Sequence, residues 1–209
     1  MTWNGWLQIL IYCAAIAALT KPLGIYLYRV FETDERPLPR VLGPVDRALH
    51  SLCGTDGREQ GWREYALSVL AFSVIGVLVT YAFQRLQGVL PLNPQGLPGV
   101  EPTSSFNTAV SFTTNTNWQG YAGEATMSYL TQMAGLAWHN FVSAAAGIGV
   151  AHAFERGITR RPGPAGSEGV GNFWSDVLRA TVYSLSWGLP GFFFFVFFFF
   201  NDTATTEIY

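Results

Sequence analysis

The chain reads as an all-α membrane protein whose helices frame a re-entrant loop. Three observations predict this. Only 12% of residues are charged and 49% are hydrophobic, against the ~25% charge of an average soluble domain. Several uncharged, apolar runs reach the ~20 residues that cross a bilayer. Lys and Arg fall in alternate loops, the asymmetry that orients membrane helices.

Trp3 to Thr20 is uncharged, and the apolar pattern continues past Lys21 and Pro22 to Tyr28. This predicts a first crossing within 1–30, kinked at Pro22, with Lys21 snorkelling to the interface. Residues 31–64 form a loop that holds several arginines. Within it Val41, Val45, Leu49 and Leu52 recur at helical spacing, with Pro44 near the start and Gly54 past the end. That pattern predicts a short interfacial helix. Tyr65 to Gln84 is a second crossing, and Ala125 to Phe154 a third, rich in small residues. A fourth begins near Phe173 and runs through Trp187.

The loop from Arg29 to Arg63 carries six arginines, the loop from Gly88 to Glu124 has no Lys or Arg, and the next holds Arg156, Arg160 and Arg161. The arginine-bearing loops are therefore expected in the cytoplasm, with the N-terminus and the 88–124 loop outside. Arg85 is the exception near the outer end of its helix; it either snorkels or tunes a pore entrance.

The net charge of −2 carries no nucleic-acid footprint. Cys13 and Cys53 lie in unlike settings, and the three histidines are scattered, so neither a disulfide nor a metal site is expected. The N-terminus lacks the basic region of a signal peptide. His139 and His152 are the histidines within a span, and His139 between Trp138 and Asn140 is expected to pack rather than catalyse.

The re-entrant segment follows the second crossing. Asn93, Pro94 and Pro98 punctuate the chain. Pro102 suits a first helical turn, with Glu101 at the positive end of the dipole. A helix over about 102–112 is too short to cross and long enough to enter halfway. Its C-terminal carbonyls are expected to aim inward and favour a cation. The chain returns as Thr113, Thr114, Asn115, Thr116, Asn117, Trp118, Gln119 and Gly120. Backbone carbonyls can replace a potassium hydration shell when the side chains turn away. Thr and Asn can brace such a loop, and Gly120 is expected to relieve crowding where the chain turns outward. An ordinary polar external loop is the alternative.

The runs Phe106–Phe112 and Thr114–Gln119, with Pro91–Gln95 upstream and Ser143–Ile148 downstream, resemble the potassium-binding A subunit of the bacterial Kdp potassium-transporting ATPase. Gly61-Trp62-x-x-Tyr65 and Asn172-Phe173-Trp174-x-Asp176 fit as well. The resemblance covers Met1 to about Pro190. It implies a potassium-channel-like fold of four membrane-pore-membrane repeats, related to the Trk/Ktr transporters. Residues 1–30 are then an extra N-terminal helix and 65–155 the first repeat. The loop 156–171 is cytoplasmic, and 172–190 starts the next repeat. Thr113, Thr114, Asn115, Thr116, Asn117, Gln119 and Gly120 are then one quarter of a selectivity filter for potassium, the cargo, with no cofactor. The implied partners are an ATP-hydrolysing P-type ATPase subunit and small accessory membrane subunits in the bacterial inner membrane. A subunit of a Trk/Ktr-like transporter and a non-transporting membrane protein remain as alternatives.

Eight of the ten residues from Gly191 to Phe200 are Phe, the other two being Gly191 and Val196, a run that no packing logic calls for. Asn201 to Tyr209 back-translates to a common sequencing adapter. Residues 191–209 are therefore expected to be an assembly artefact, and the chain a fragment.

Overall fold

The computed structural model describes residues 3–33, 37, 39–55, 57–160 and 169–185. The Phe-rich run and the end of the fourth expected crossing lie outside them. All regular structure among the described residues is helical: α1 (Trp3–Glu32), α2 (Gly43–Cys53), α3 (Trp62–Leu86), α4 (Pro102–Thr113) and α5 (Gly123–Thr126) come first. A π-helical segment, Thr131–Ala137, runs into α6 (Trp138–Thr159), and α7 (Phe173–Arg179) continues as a second π segment, Ala180–Leu185.

α1 and α3 are each long and apolar enough to cross a bilayer. Burial on α3 is the reverse of a water-soluble helix. Thr80 and Gln84 are fully buried, while Leu67, Leu70, Val74, Ile75 and Leu78 are all more than half exposed. Hydrocarbon solvent favours this arrangement, because a polar group facing it finds no partner. The protein is thus a membrane protein.

α1 runs through Pro22 without interruption and packs only by its last turns, where Val30 and Phe31 are buried. There the Tyr26 hydroxyl donates to the Tyr183 carbonyl at 2.6 Å. α2 takes the expected bounds, with Pro44 in its first turn and Gly54 left-handed (φ 62°) at its C-cap. Leu49 packs onto the core, whereas Val41, Val45 and Leu52 face outward.

The third expected crossing starts later than Ala125. Residues 123–126 make a separate turn, and the helix resumes after Ser128. The cause is Gln87, fully buried at the end of α3. Its amide donates to the Thr126 carbonyl at 2.8 Å and accepts from the Ser128 N–H at 3.0 Å. Ser128 then caps the new helix by accepting from the Thr131 N–H.

At the end carrying α2, ions hold the helices, the Arg156–Asp176 pair among them buried. Arg156 of α6 reaches Asp176 of α7 at 2.6 and 3.1 Å and Glu32 of α1 at 2.6 Å. The Tyr65 hydroxyl of α3 donates to Asp176 at 3.1 Å, and Arg160 joins Glu32 to Glu59. Gly171 (φ 104°) is obligatory, since a β-carbon there would lie 2.0 Å from Arg156 Nη1.

α4 is hung from the opposite end of α3. Gln84 donates to the Ser105 carbonyl at 3.2 Å and its own carbonyl accepts from Val100 at 3.0 Å. Gln87 also donates to Pro98 O at 2.7 Å. Arg85 donates to the Val100 carbonyl, so the structure gives it an anchoring role. Asn93 closes the approach turn on Gln87 and Leu97. The far end of α4 reaches Gly76, where a β-carbon would meet His139 Nε2 at 2.8 Å and Thr113 Cγ2 at 3.2 Å. Gly76 lies ten residues from the end of α3 at Leu86, or about 15 Å along a helix. That is about half of the ~30 Å hydrocarbon layer.

Candidate functional site

The site is the return segment after α4. α4 starts at Pro102, and the Glu101 carboxylate caps it by accepting from the Ser104 N–H at 2.8 Å. That backbone bond holds the Glu101 carboxyl below the usual carboxylate range. The helix ends one residue later than expected, so Thr113 is its last residue rather than part of the loop. The Thr113 side chain is buried toward Gly76, away from the loop.

From there the backbone spends five consecutive N–H groups on α4. Thr114 donates to Val110 O at 3.0 Å and Asn115 to Phe112 O at 3.2 Å. Thr116 and Asn117 donate to Ser111 O at 2.9 and 3.3 Å, and Trp118 to Ser111 Oγ at 3.0 Å. All the peptides are trans. In a trans peptide the carbonyl of one residue opposes the N–H of the next. The carbonyls of Thr113, Thr114, Asn115, Thr116 and Asn117 therefore point away from α4. Among the described residues none of these five carbonyls accepts a hydrogen bond.

The conformation that achieves this alternates. Asn115 and Asn117 are left-handed, each with φ 57°, and Thr116 between them is not. Alternation of this kind gathers N–H groups on one side as a nest, here around the Ser111 carbonyl. Asn is the non-glycine residue that best tolerates the left-handed region. Thr113 O stands open as the sequence led us to expect, but the preceding α4 carbonyls of Val110, Ser111 and Phe112 do not. The loop amides occupy them, and the loop carbonyls are the free acceptors instead.

Side chains brace the loop locally. Thr114 Oγ1 lies 3.1 Å from Thr116 Oγ1 and also donates to Val110 O at 2.9 Å. Asn117 Nδ2 donates to Asn115 Oδ1 at 3.2 Å. Gln119 and Gly120 are exposed beyond the carbonyl row. Burial pushes the Tyr121 hydroxyl up to about 12, with the Gln119 amide pulling the other way. The crowding expected at Gly120 does not occur within this chain. Its φ is not left-handed, and an added β-carbon would meet only the Trp118 ring, at 3.5 Å.

Ser111 opens the polar segment but was not expected among the ion-binding residues, and it accepts from three loop amides. Its signal was slight: a serine in the last turn of the short helix, three residues before Thr114. His139 packs as expected, with Nδ1 3.0 Å from Thr80 Oγ1 and 3.1 Å from the Gly135 carbonyl.

The family model described as the potassium-transporting ATPase A subunit matches residues 10–201. The match thus continues past Pro190 into the Phe-rich run. Similar curated proteins carry the name potassium-transporting ATPase potassium-binding subunit. One from Mesorhizobium japonicum is 55% identical over 186 residues, covering 88% of this chain and 32% of the relative. One from Rhodospirillum centenum is 56% identical over 187 residues, with 88% and 32% covered. One from Koribacter versatilis is 51% identical over 187 residues, with 88% and 31% covered. The chain spans about a third of the length of these relatives. With a family match over most of its length, the chain belongs to the potassium-transporting ATPase A subunit family.

Proposed function

We propose that this chain is the ion-selecting part of a potassium-binding subunit in an ATP-driven potassium uptake complex. One observation carries the reading: five successive carbonyls, Thr113 to Asn117, are turned out together and find no donor among the described residues. Carbonyls in that state suit a dehydrated monovalent cation. Family membership favours this reading over a Trk/Ktr-like transporter or a non-transporting protein.

One loop cannot enclose an ion. The repeat arrangement of a potassium-channel-like fold supplies the other quarters from outside this chain, with 65–155 as one membrane-pore-membrane unit. The subunit itself is non-catalytic and takes no organic cofactor; potassium is its cargo. Its partners are a P-type subunit that hydrolyses ATP and small accessory membrane subunits. We place it in the bacterial inner membrane, with the N-terminus and the 88–124 loop outside, from the arginine asymmetry.

The test is Gln119→Arg in a full-length chain assembled with its ATP-hydrolysing partner. Gln119 is exposed just beyond the carbonyl row. Unit charges ~4 Å apart interact by about 4 kcal/mol at intermediate dielectric, and about 1.4 kcal/mol shifts affinity tenfold. The half-saturating potassium concentration for ATPase activity should rise at least tenfold, whereas Gln119→Asn should change it much less. An unchanged half-saturation in a properly assembled complex would return the segment to an ordinary polar loop.

A further inference from the structure

The Ser143–Ile148 run lies on α6 and has no place in the loop geometry described so far. Its first residue does reach the loop. Ser143 is 4% exposed on α6, and its hydroxyl lies 3.3 Å from Asn115 Oδ1. The same hydroxyl also donates to the nearer His139 carbonyl one turn back, so its single proton is shared between the two acceptors. Asn115 Oδ1 accepts in turn from Asn117 Nδ2. These two asparagines are the left-handed residues of the loop. Every other hydrogen bond to residues 114–118 comes from α4 or from the loop itself. Ser143 is thus the one tie from another helix among the described residues.

We propose that Ser143 is a positioning residue that sets the ion selectivity of the loop by locking Asn115 and Asn117 in their left-handed conformation. The proposal rests on the reading of 113–120 as a filter. Asn tolerates the left-handed region better than other non-glycine residues but does not require it, so its side-chain partner decides how firmly it stays there. Releasing the side chain that holds it lets the attached carbonyls reorient. Ser143 adds no charge to the path, so its loss loosens the carbonyl row without opposing the ion. The effect falls on discrimination and half-saturation rather than on maximal turnover.

The experiment measures ATPase activity of the assembled full-length complex against potassium, rubidium and ammonium. One hydrogen bond of this kind corresponds to roughly a threefold to tenfold change in an equilibrium. Ser143→Ala should raise half-saturating potassium by about that factor and narrow the potassium-to-rubidium ratio, with maximal rate kept. Ser143→Thr, which keeps the hydroxyl, should restore both. Ser143→Cys preserves volume with a weak donor, and serves if the alanine variant does not assemble; it should shift selectivity the same way. Wild-type selectivity in an assembled alanine or cysteine variant overturns the proposal, as does a lower yield with the ratio unchanged. Gln119→Arg runs in parallel. If it shifts half-saturation and the Ser143 variants do not, the positioning role falls alone. If none shifts, the filter reading falls and this proposal with it.

Discussion

Where α4 meets α3, neutral amides hold the chain: Gln84 on Ser105, Gln87 on Pro98 and Thr126, Asn93 on Leu97. At the end carrying α2, ions do the same work, with Arg156 between Asp176 and Glu32 and Arg160 between Glu32 and Glu59. Both ends tie segments far apart in sequence. The difference lies in the field each leaves behind. A buried amide satisfies a backbone carbonyl without adding net charge, so it does not oppose a cation at the neighbouring loop. Charge there would act at short range in a poorly screened setting. Between Arg63 and Arg156 the chain holds only Arg85 as a fixed cation, and its guanidinium is spent on the Val100 carbonyl beside the Glu101 cap.

The comparison breaks most sharply at Arg156. Arg156→Ala leaves Asp176, 1% exposed, as a buried carboxylate without its principal partner. Removing one member of a buried pair costs about 3–5 kcal/mol. We expect a large fall in the thermal unfolding temperature of the full-length protein in detergent. A loss below about 1 kcal/mol would put the pair with surface bridges and erase the contrast between the two ends.

Gln87→Leu sharpens the other side. It strands the Pro98 and Thr126 carbonyls and the Ser128 N–H. With solvent or the backbone recovering part of the loss, about 2–3 kcal/mol is expected, from the usual penalty for stranded buried groups. The same denaturation measurement should show a smaller drop than Arg156→Ala. Apparent potassium affinity should fall too, because α4 loses its hanger. Unaltered affinity would detach the amide scaffold from the loop.

The smallest effect concerns Glu101, which is exposed and whose carboxyl titrates below its ordinary range because it accepts from the α4 amides. Its cap is therefore fully present above the ordinary glutamate range and fades as pH falls through the lowered folded value. Glu101→Ala should flatten the acid limb of the stability curve slightly and leave the neutral region nearly parallel. An acid limb identical to wild type would show that the cap adds nothing to the stability of α4.

Much of this arrangement was readable along the chain where the cause is local. Pro44 and Gly54 bound α2 because proline suits a first turn and glycine a left-handed cap. Pro102 starts α4 for the same reason, and the apolar length of α1 and α3 marks them as crossings. The segment from Thr113 to Gly120 was read as a polar loop from its polarity and its lack of Lys and Arg, and the chain leaves the helix from Thr114 onward. The helix carries one residue further than expected, which turns the Thr113 side chain toward Gly76 while its carbonyl stays in the outward row. The break before Tyr129 was missed because nothing in residues 125–130 announces it; Gln87, some forty residues upstream, imposes it.

Local pattern alone decided the helical class, the membrane setting, the half-length helix and the polar loop that follows it. Those properties depend on residue type and spacing within one or two turns, and such causes travel with the sequence. Packing between distant segments decided the rest: which end of Thr113 faces the loop, which carbonyls are left without donors, and that Arg156 finds Asp176 across the tight turn at Gly171. A peptide group points where its N–H finds an acceptor, and the acceptors here, Ser111 O and Oγ, are set by how α4 ends. The side chain that steadies the loop from behind, Ser143, stands on a helix that begins only after the chain has left the site.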